Sequence, residues 1–72
     1  MKKGKYKHYK GKEYEVIDVA THSETLEEVI VYKALYSIEG KGENSLWVRP
    51  KTMFEEELEI DGKRIKRFEF MN

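Results

Sequence analysis

The dipeptide Asp61-Gly62 constrains this chain more than any other feature. Asp-Gly between alternating side chains marks a two-residue β-hairpin turn, because both turn residues must adopt positive φ. Folding the chain about it sets Ile60 against Lys63, Glu59 against Arg64, Leu58 against Ile65, Glu57 against Lys66 and Glu56 against Arg67. Three of these five pairs join opposite charges and one joins two apolar side chains, the combinations that favour cross-strand contact. A slip of one residue would lose the Leu58–Ile65 match, so the register is specified together with the turn.

Period two governs the rest of the chain, and no long helical pattern is present. Tyr6 and His8 alternate with Lys5 and Lys7 in a short first strand ending at Lys10-Gly11-Lys12. In the next strand, residues 13–20, Tyr14 and Val16 occupy one phase while Ile17 and Val19 occupy the other. Such a phase slip predicts a β-bulge or sharp bend. Residues 21–25 form a polar loop. Thr25 and Glu28 have capping-box spacing, but the β-branched run that follows favours a single turn over a helix. The run Val29–Tyr36 suits a central strand, and the glycine-rich stretch 40–45 an exposed turn. A four-residue strand, Leu46–Arg49, stops at Pro50, which cannot donate to the ladder. Residues 51–54 suit one helical or 3₁₀ turn, with Met53 and Phe54 entering the core. The expected fold is all-β: a small, strongly bent barrel or roll of about five to six short antiparallel strands with that one turn. Its expected core is Tyr14, Val16, Val19, Val29, Val31, Leu35, Leu46, Val48, Met53, Phe54, Leu58, Ile65 and Phe68.

Composition limits the remaining classes. A chain of 72 residues suits one domain, expected over residues 6–70 behind a frayed basic tail at 1–5. Cysteine is absent, which removes disulfides, thiolate metal sites and a cysteine nucleophile. The longest apolar run, Val29–Tyr32, is far below the roughly 20 residues that span a bilayer. No apolar h-region follows the Lys-rich start, so a cytoplasmic protein without membrane contact is expected. Fourteen basic residues balance fourteen acidic ones, against a nucleic-acid binder driven by bulk charge. That zero is a sum of blocks: six lysines in residues 1–12, then six acids in residues 13–28.

Four groups of residues could carry chemistry. His22, Ser23 and Glu24 are consecutive, whereas a nucleophile and its base must converge in space. A turn in which Ser23 and Thr25 hydroxyls bond backbone amides accounts for them without catalysis. His8 and His22 with Asp18 or Glu24 match no compact metal motif, so no metal and no cofactor is expected. Trp47, Arg49 and Pro50, with Tyr32, Tyr36 and Phe54, form an aromatic and cationic set of the kind enriched at binding hot spots. Trp47 and Arg49 share one strand face and Leu46 and Val48 the other, the latter expected to face inward. Finally, His8, Tyr9 and Lys10 belong to a stretch interleaving bases with aromatics, as single-strand nucleic-acid surfaces do.

The segments YKHYKGKEYEVIDVATHSETLEEVIVYKALY, WVRPKTMF and DGKRIKRF together resemble the uncharacterised bacterial family catalogued as domain of unknown function 1653. That family's pattern has a Y-x-HYKG start, an A-x-HSET-x-E loop, a VVY-x-x-LY strand, a WVRP-x-x-MF segment and an RF end. The resemblance covers about residues 6 to 68; Ile30 stands where valine is usual, and no proline precedes Arg67-Phe68. It implies an SH3-like β-barrel and no established activity. Its recurring polar and aromatic positions fall here on His8, Tyr9, Lys10, Gly11, His22, Ser23, Glu24, Tyr32, Tyr36, Trp47, Arg49, Pro50 and Phe54. A pocket lined by the 22–24 loop and the Trp47–Arg49 strand is the resulting site expectation, with His8, Tyr9 and Lys10 secondary. The expected function is a non-catalytic module that binds a protein or peptide, as a monomer or weak homodimer. The alternatives are single-stranded nucleic-acid binding and a small-ligand or hydrolase-type site at His22-Ser23-Glu24.

Overall fold

The computed structural model describes residues 2–37, Gly40, Gly42 and residues 44–71. The turn expected at 40–45 therefore lies partly outside the described residues, at Lys41 and Glu43. Among the described residues seven strands and one short helix follow in order: β1 (Gly4–His8), β2 (Glu13–Thr21), β3 (Glu28–Ala34), β4 (Leu46–Pro50), α1 (Lys51–Phe54), β5 (Glu57–Ile60), β6 (Lys63–Lys66) and β7 (Phe68–Phe70). Strand β1 starts at Gly4, so Lys5, placed by sequence in a frayed tail, pairs with Glu15. No helix among the described residues is long and apolar enough to cross a membrane.

Five strands form one antiparallel sheet in the order β4-β3-β2-β1-β7, while β5 and β6 form a separate hairpin. The expected closed barrel is not seen: β4 and β7 are the two sheet edges, and no described strand pair joins them. Closure would need a strand to bridge those edges, but β5 and β6 pair with each other and β7 joins only β1. The hairpin has the expected register, with Glu57 opposite Lys66, Leu58 opposite Ile65 and Glu59 opposite Arg64. Asp61 and Gly62 have φ of 53° and 77°, the positive values their turn requires. The ion pair runs diagonally, Arg64 to Glu57 at 3.2 Å.

The phase slip in β2 is a bulge. Pairing with β3 shifts between Val16 and Asp18, leaving Ile17 out of the ladder and 40% exposed. Val16 and Val19 consequently face the same side, three residues apart. That side is a concave face holding Tyr6, Val16, Ile30, Tyr32 and Phe68, with Tyr14 and Val19 packed against it. Phe54 of α1 closes the core, stacked on Phe68 with ring centroids 4.1 Å apart and planes within 2°.

One part of the expected core is inverted. Antiparallel partners share a sheet face, and β4 pairs Trp47 with Tyr32 and Arg49 with Ile30. Because Ile30 is fully buried, Trp47 and Arg49 face inward with it. Leu46 and Val48 therefore face outward, 67% and 63% exposed, and Met53 is also exposed. The positions they were expected to fill are taken by Tyr6, Ile30, Tyr32 and Ala34. The concave face is lined chiefly by rings, whose buried bodies carry polar tips that need partners.

Candidate functional site

Where the concave face reaches edge strand β4, a pocket of about 380 Å³ opens, lined by Tyr14, Tyr32, Tyr36, Trp47 and Arg49. Three strands and a loop supply it. Tyr14 and Tyr32 come from the paired strands β2 and β3 and meet edge to face, centroids 5.4 Å apart and planes at 80°. Tyr36 follows β3 by two residues and keeps the phase of Tyr32 and Ala34. Its hydroxyl lies 2.6 Å from that of Tyr14, and the two rings meet at 80°. Trp47, 37% exposed, forms another part of the wall, and its indole N–H donates to Ser45 Oγ at 2.9 Å.

Arg49 is the charged member. Its Nε donates to the Tyr32 hydroxyl at 3.4 Å, and its guanidinium carbon lies 5.5 Å from the Phe68 ring centroid. Arg49 forms no ion pair among the described residues. Its two terminal nitrogens hydrogen-bond no described residue, and neither is a buried orphan; that condition belongs to Arg67 Nε. No acidic residue lines the pocket. Lys12 adds a second cation nearby, with Nζ 4.9 Å from the Tyr36 ring.

Burial raises the pKa of Tyr14 well above the usual phenol value, and the hydrogen bond with Tyr36 raises it further. The charge of Arg49 opposes this only in part. Tyr14 is thus a neutral phenol near pH 7, and the pocket offers aromatic faces, hydroxyls and one fixed cation. His8 lies close by, its ring edge-on to Phe68 at 4.9 Å. Burial, then the charges of Arg49, Arg67 and Lys10, lower its pKa from the ordinary 6.5. Its Nδ1 accepts the backbone N–H of Lys10 at 3.1 Å, which leaves the proton of the neutral ring on Nε2.

Of the residues expected to form a site, Tyr32, Trp47 and Arg49 are brought together here. His22, Ser23 and Glu24 do not line this pocket. They form the exposed connection between β2 and β3, where His22 Nδ1 accepts the backbone N–H groups of Glu24 and Thr25 at 3.2 and 3.3 Å. The imidazole thus stabilises a turn, the role anticipated for the hydroxyls, and only Thr25 Oγ1 joins it by accepting from Glu27 N. Pro50 ends β4 opposite Val29 and precedes α1. His8 and Tyr9 line a different cleft of about 480 Å³, between β1, β7 and the β5–β6 hairpin, with Lys7, Arg64, Lys66, Glu57 and Glu69. Lys10 extends over the Tyr9 ring at 5.8 Å. That cleft is larger, but its charges are mixed in sign and Arg64 is already paired with Glu57. Among the described residues no three His, Asp or Glu side chains are grouped to hold a metal ion.

Sequence reasoning grouped Tyr36 with Tyr32, Trp47 and Arg49 without making it a principal site residue, and it did not assign Tyr14 to the site at all. Period two placed Tyr14 correctly with Val16, but as core; Tyr36 shares the parity of Tyr32. What signals both is the hydroxyl, since a half-buried phenol favours a partner and each supplies the other's.

Comparison with known proteins follows the same lines. The profile of a family described as a protein of unknown function, DUF1653, matches residues 4–70. A crystal structure of a Bordetella bronchiseptica protein of that family is similar over 99% of this chain and 87% of that one, at 30% identity and a TM-score of 0.87. A search of curated proteins finds no match.

Proposed function

The chain belongs to the DUF1653 family, and from that premise we propose that it is a non-catalytic module that binds a peptide or protein segment on its concave face. The observation that carries this reading is the pocket of Tyr14, Tyr32, Tyr36, Trp47 and Arg49. Aromatic rings and arginine are the side chains most enriched where binding energy concentrates, and they are combined here in one concavity. The domain works as an open roll, related in plan to SH3-like barrels, with its recognition site at one sheet edge.

The test is selection of binders from a random peptide library displayed in both internal and carboxy-terminal positions. Selected peptides should lose at least about tenfold in affinity against Trp47→Ala, since a hot-spot aromatic contributes ~2 kcal/mol or more. Trp47 is partly exposed, so circular dichroism of that variant should match the parent. Peptides that bind parent and variant equally would overturn the reading. So would salt-sensitive binding of a single-stranded oligonucleotide with no peptide selected, which would favour the lysines of residues 2–12 instead.

A further inference from the structure

We propose that the group seated in this pocket is the free C-terminal carboxylate of a partner chain, with the terminal residue's own apolar or aromatic side chain against the tyrosine and tryptophan rings. The proposal rests on the peptide-binding reading above and names what is bound.

The charge in the pocket selects the sign of the ligand. Four aromatic rings alone would suit a quaternary ammonium or methylated lysine. A guanidinium in the same wall, with no carboxylate lining the site, repels such a cation. Arg49 is oriented by a long hydrogen bond from Nε to the Tyr32 hydroxyl and by its position over the Phe68 ring, while its terminal nitrogens remain without a described partner. That is a preoriented fork, the geometry that takes both oxygens of a carboxylate in parallel hydrogen bonds. The Tyr14–Tyr36 pair adds a donor: one hydroxyl proton lies between the two oxygens, and the other is left for a ligand oxygen.

The number of cations selects the class of anion. Phosphorylated segments are held by clusters of arginines, and here one arginine lines the pocket, with Lys12 beside Tyr36. A monoanion matches that supply better than a phosphate dianion. The rings decide between a terminal carboxylate and that of an internal Asp or Glu. An acidic side chain has one short apolar stem and would leave most of the aromatic wall uncovered. A terminal residue brings a carboxylate and a full side chain from the same Cα, and a pocket of about 380 Å³ has room for both.

The experiment titrates isotope-labelled protein with N-acetyl-phenylalanine, its primary amide, the amide of N-acetyl-aspartate, and phenyl phosphate, following the Arg49 Nε–H resonance. The free acid of N-acetyl-phenylalanine should shift that resonance saturably, with the amide at least about tenfold weaker, as expected when a charge-assisted bond is lost. Followed instead through the indole N–H resonance of Trp47, which lines the same pocket, Arg49→Gln should abolish the difference between acid and amide, and Lys12→Gln should reduce it about twofold. Equal binding of acid and amide would overturn the carboxylate while leaving peptide binding intact. Tighter binding of phenyl phosphate or of the aspartate derivative would overturn it in favour of those groups. Failure of every probe to shift Arg49 at about 10 mM, well above the range of single-residue affinities expected for a formed site, would also overturn it. In the peptide library, loss of selection when the C-terminus is fused to carrier distinguishes this proposal from pocket binding in general.

Discussion

His8 lines the polar cleft and packs edge-on against Phe68, so its protonation is felt by the aromatic core. In the unfolded chain it takes up a proton near pH 6.5; in the folded chain burial and the neighbouring cations push that event lower. Between those two values the unfolded state holds more protons, and stability rises with pH. The contribution is therefore complete above the ordinary value and lost as pH falls through the folded one. The urea midpoint should be lower at about pH 5.5 than at about pH 7.5, and His8→Gln should flatten the difference. Residue by residue, the sequence was informative where side chains were plainly apolar and misleading where they were amphipathic. Val16 and Phe54 were legible as core. Trp47 and Arg49 were legible as candidates, but not as the inward face, because Leu46 and Val48 satisfy the simple apolar rule better. The rule fails here because β4 takes its phase from Ile30 and Tyr32, and only the β3–β4 register reveals that.

Hairpin β5–β6 was legible entirely from local chemistry, since turn type and pairing lie within ten residues of each other. Its dependence on Gly62, at φ 77°, is direct. No atom lies within 4 Å of where a Cβ would stand, so Gly62→Ala meets only backbone strain and should destabilise by roughly 1 kcal/mol, measured by chemical denaturation. The bulge at Ile17 was legible too, as a change of apolar phase within one strand. Strand β7 was not. The pairing read about Asp61-Gly62 ends at Arg67 and gives no separate strand after it; the chain bends there, and the Arg67 N–H donates to Glu56 O while its carbonyl accepts from Tyr9 N, both at 2.9 Å. Arg67 also reaches Glu56 Oε1 at 2.6 Å. These bonds tie the hairpin to the end of β1, a pairing separated by nearly the whole chain and carried by no local signal.

At the scale of the molecule, a short chain wraps one bent sheet around a few rings and leaves its two edges apart. The face-to-face contact of Phe54 with Phe68 links α1 to β7 and hence to β1. Phe54→Ala should cost about 3 to 5 kcal/mol. A chain of this length has roughly 4 to 11 kcal/mol in total, so the variant should lose at least about a quarter of its stability, read as a large drop in urea midpoint. The all-β class and its helical turn were legible from period two and Pro50. Barrel closure was not, because it depends on where β5 and β6 go after α1, a choice made by long-range packing. The placement of Trp47 has one more consequence. It is the only tryptophan in the chain, and it stands at the pocket rather than in the core, 5 tyrosines being the other phenolic or indole chromophores. Light absorbed by Tyr14 and Tyr32 can pass to an indole in the wall of the same pocket, so the unlabelled protein carries its own optical gauge for the ligand proposed above.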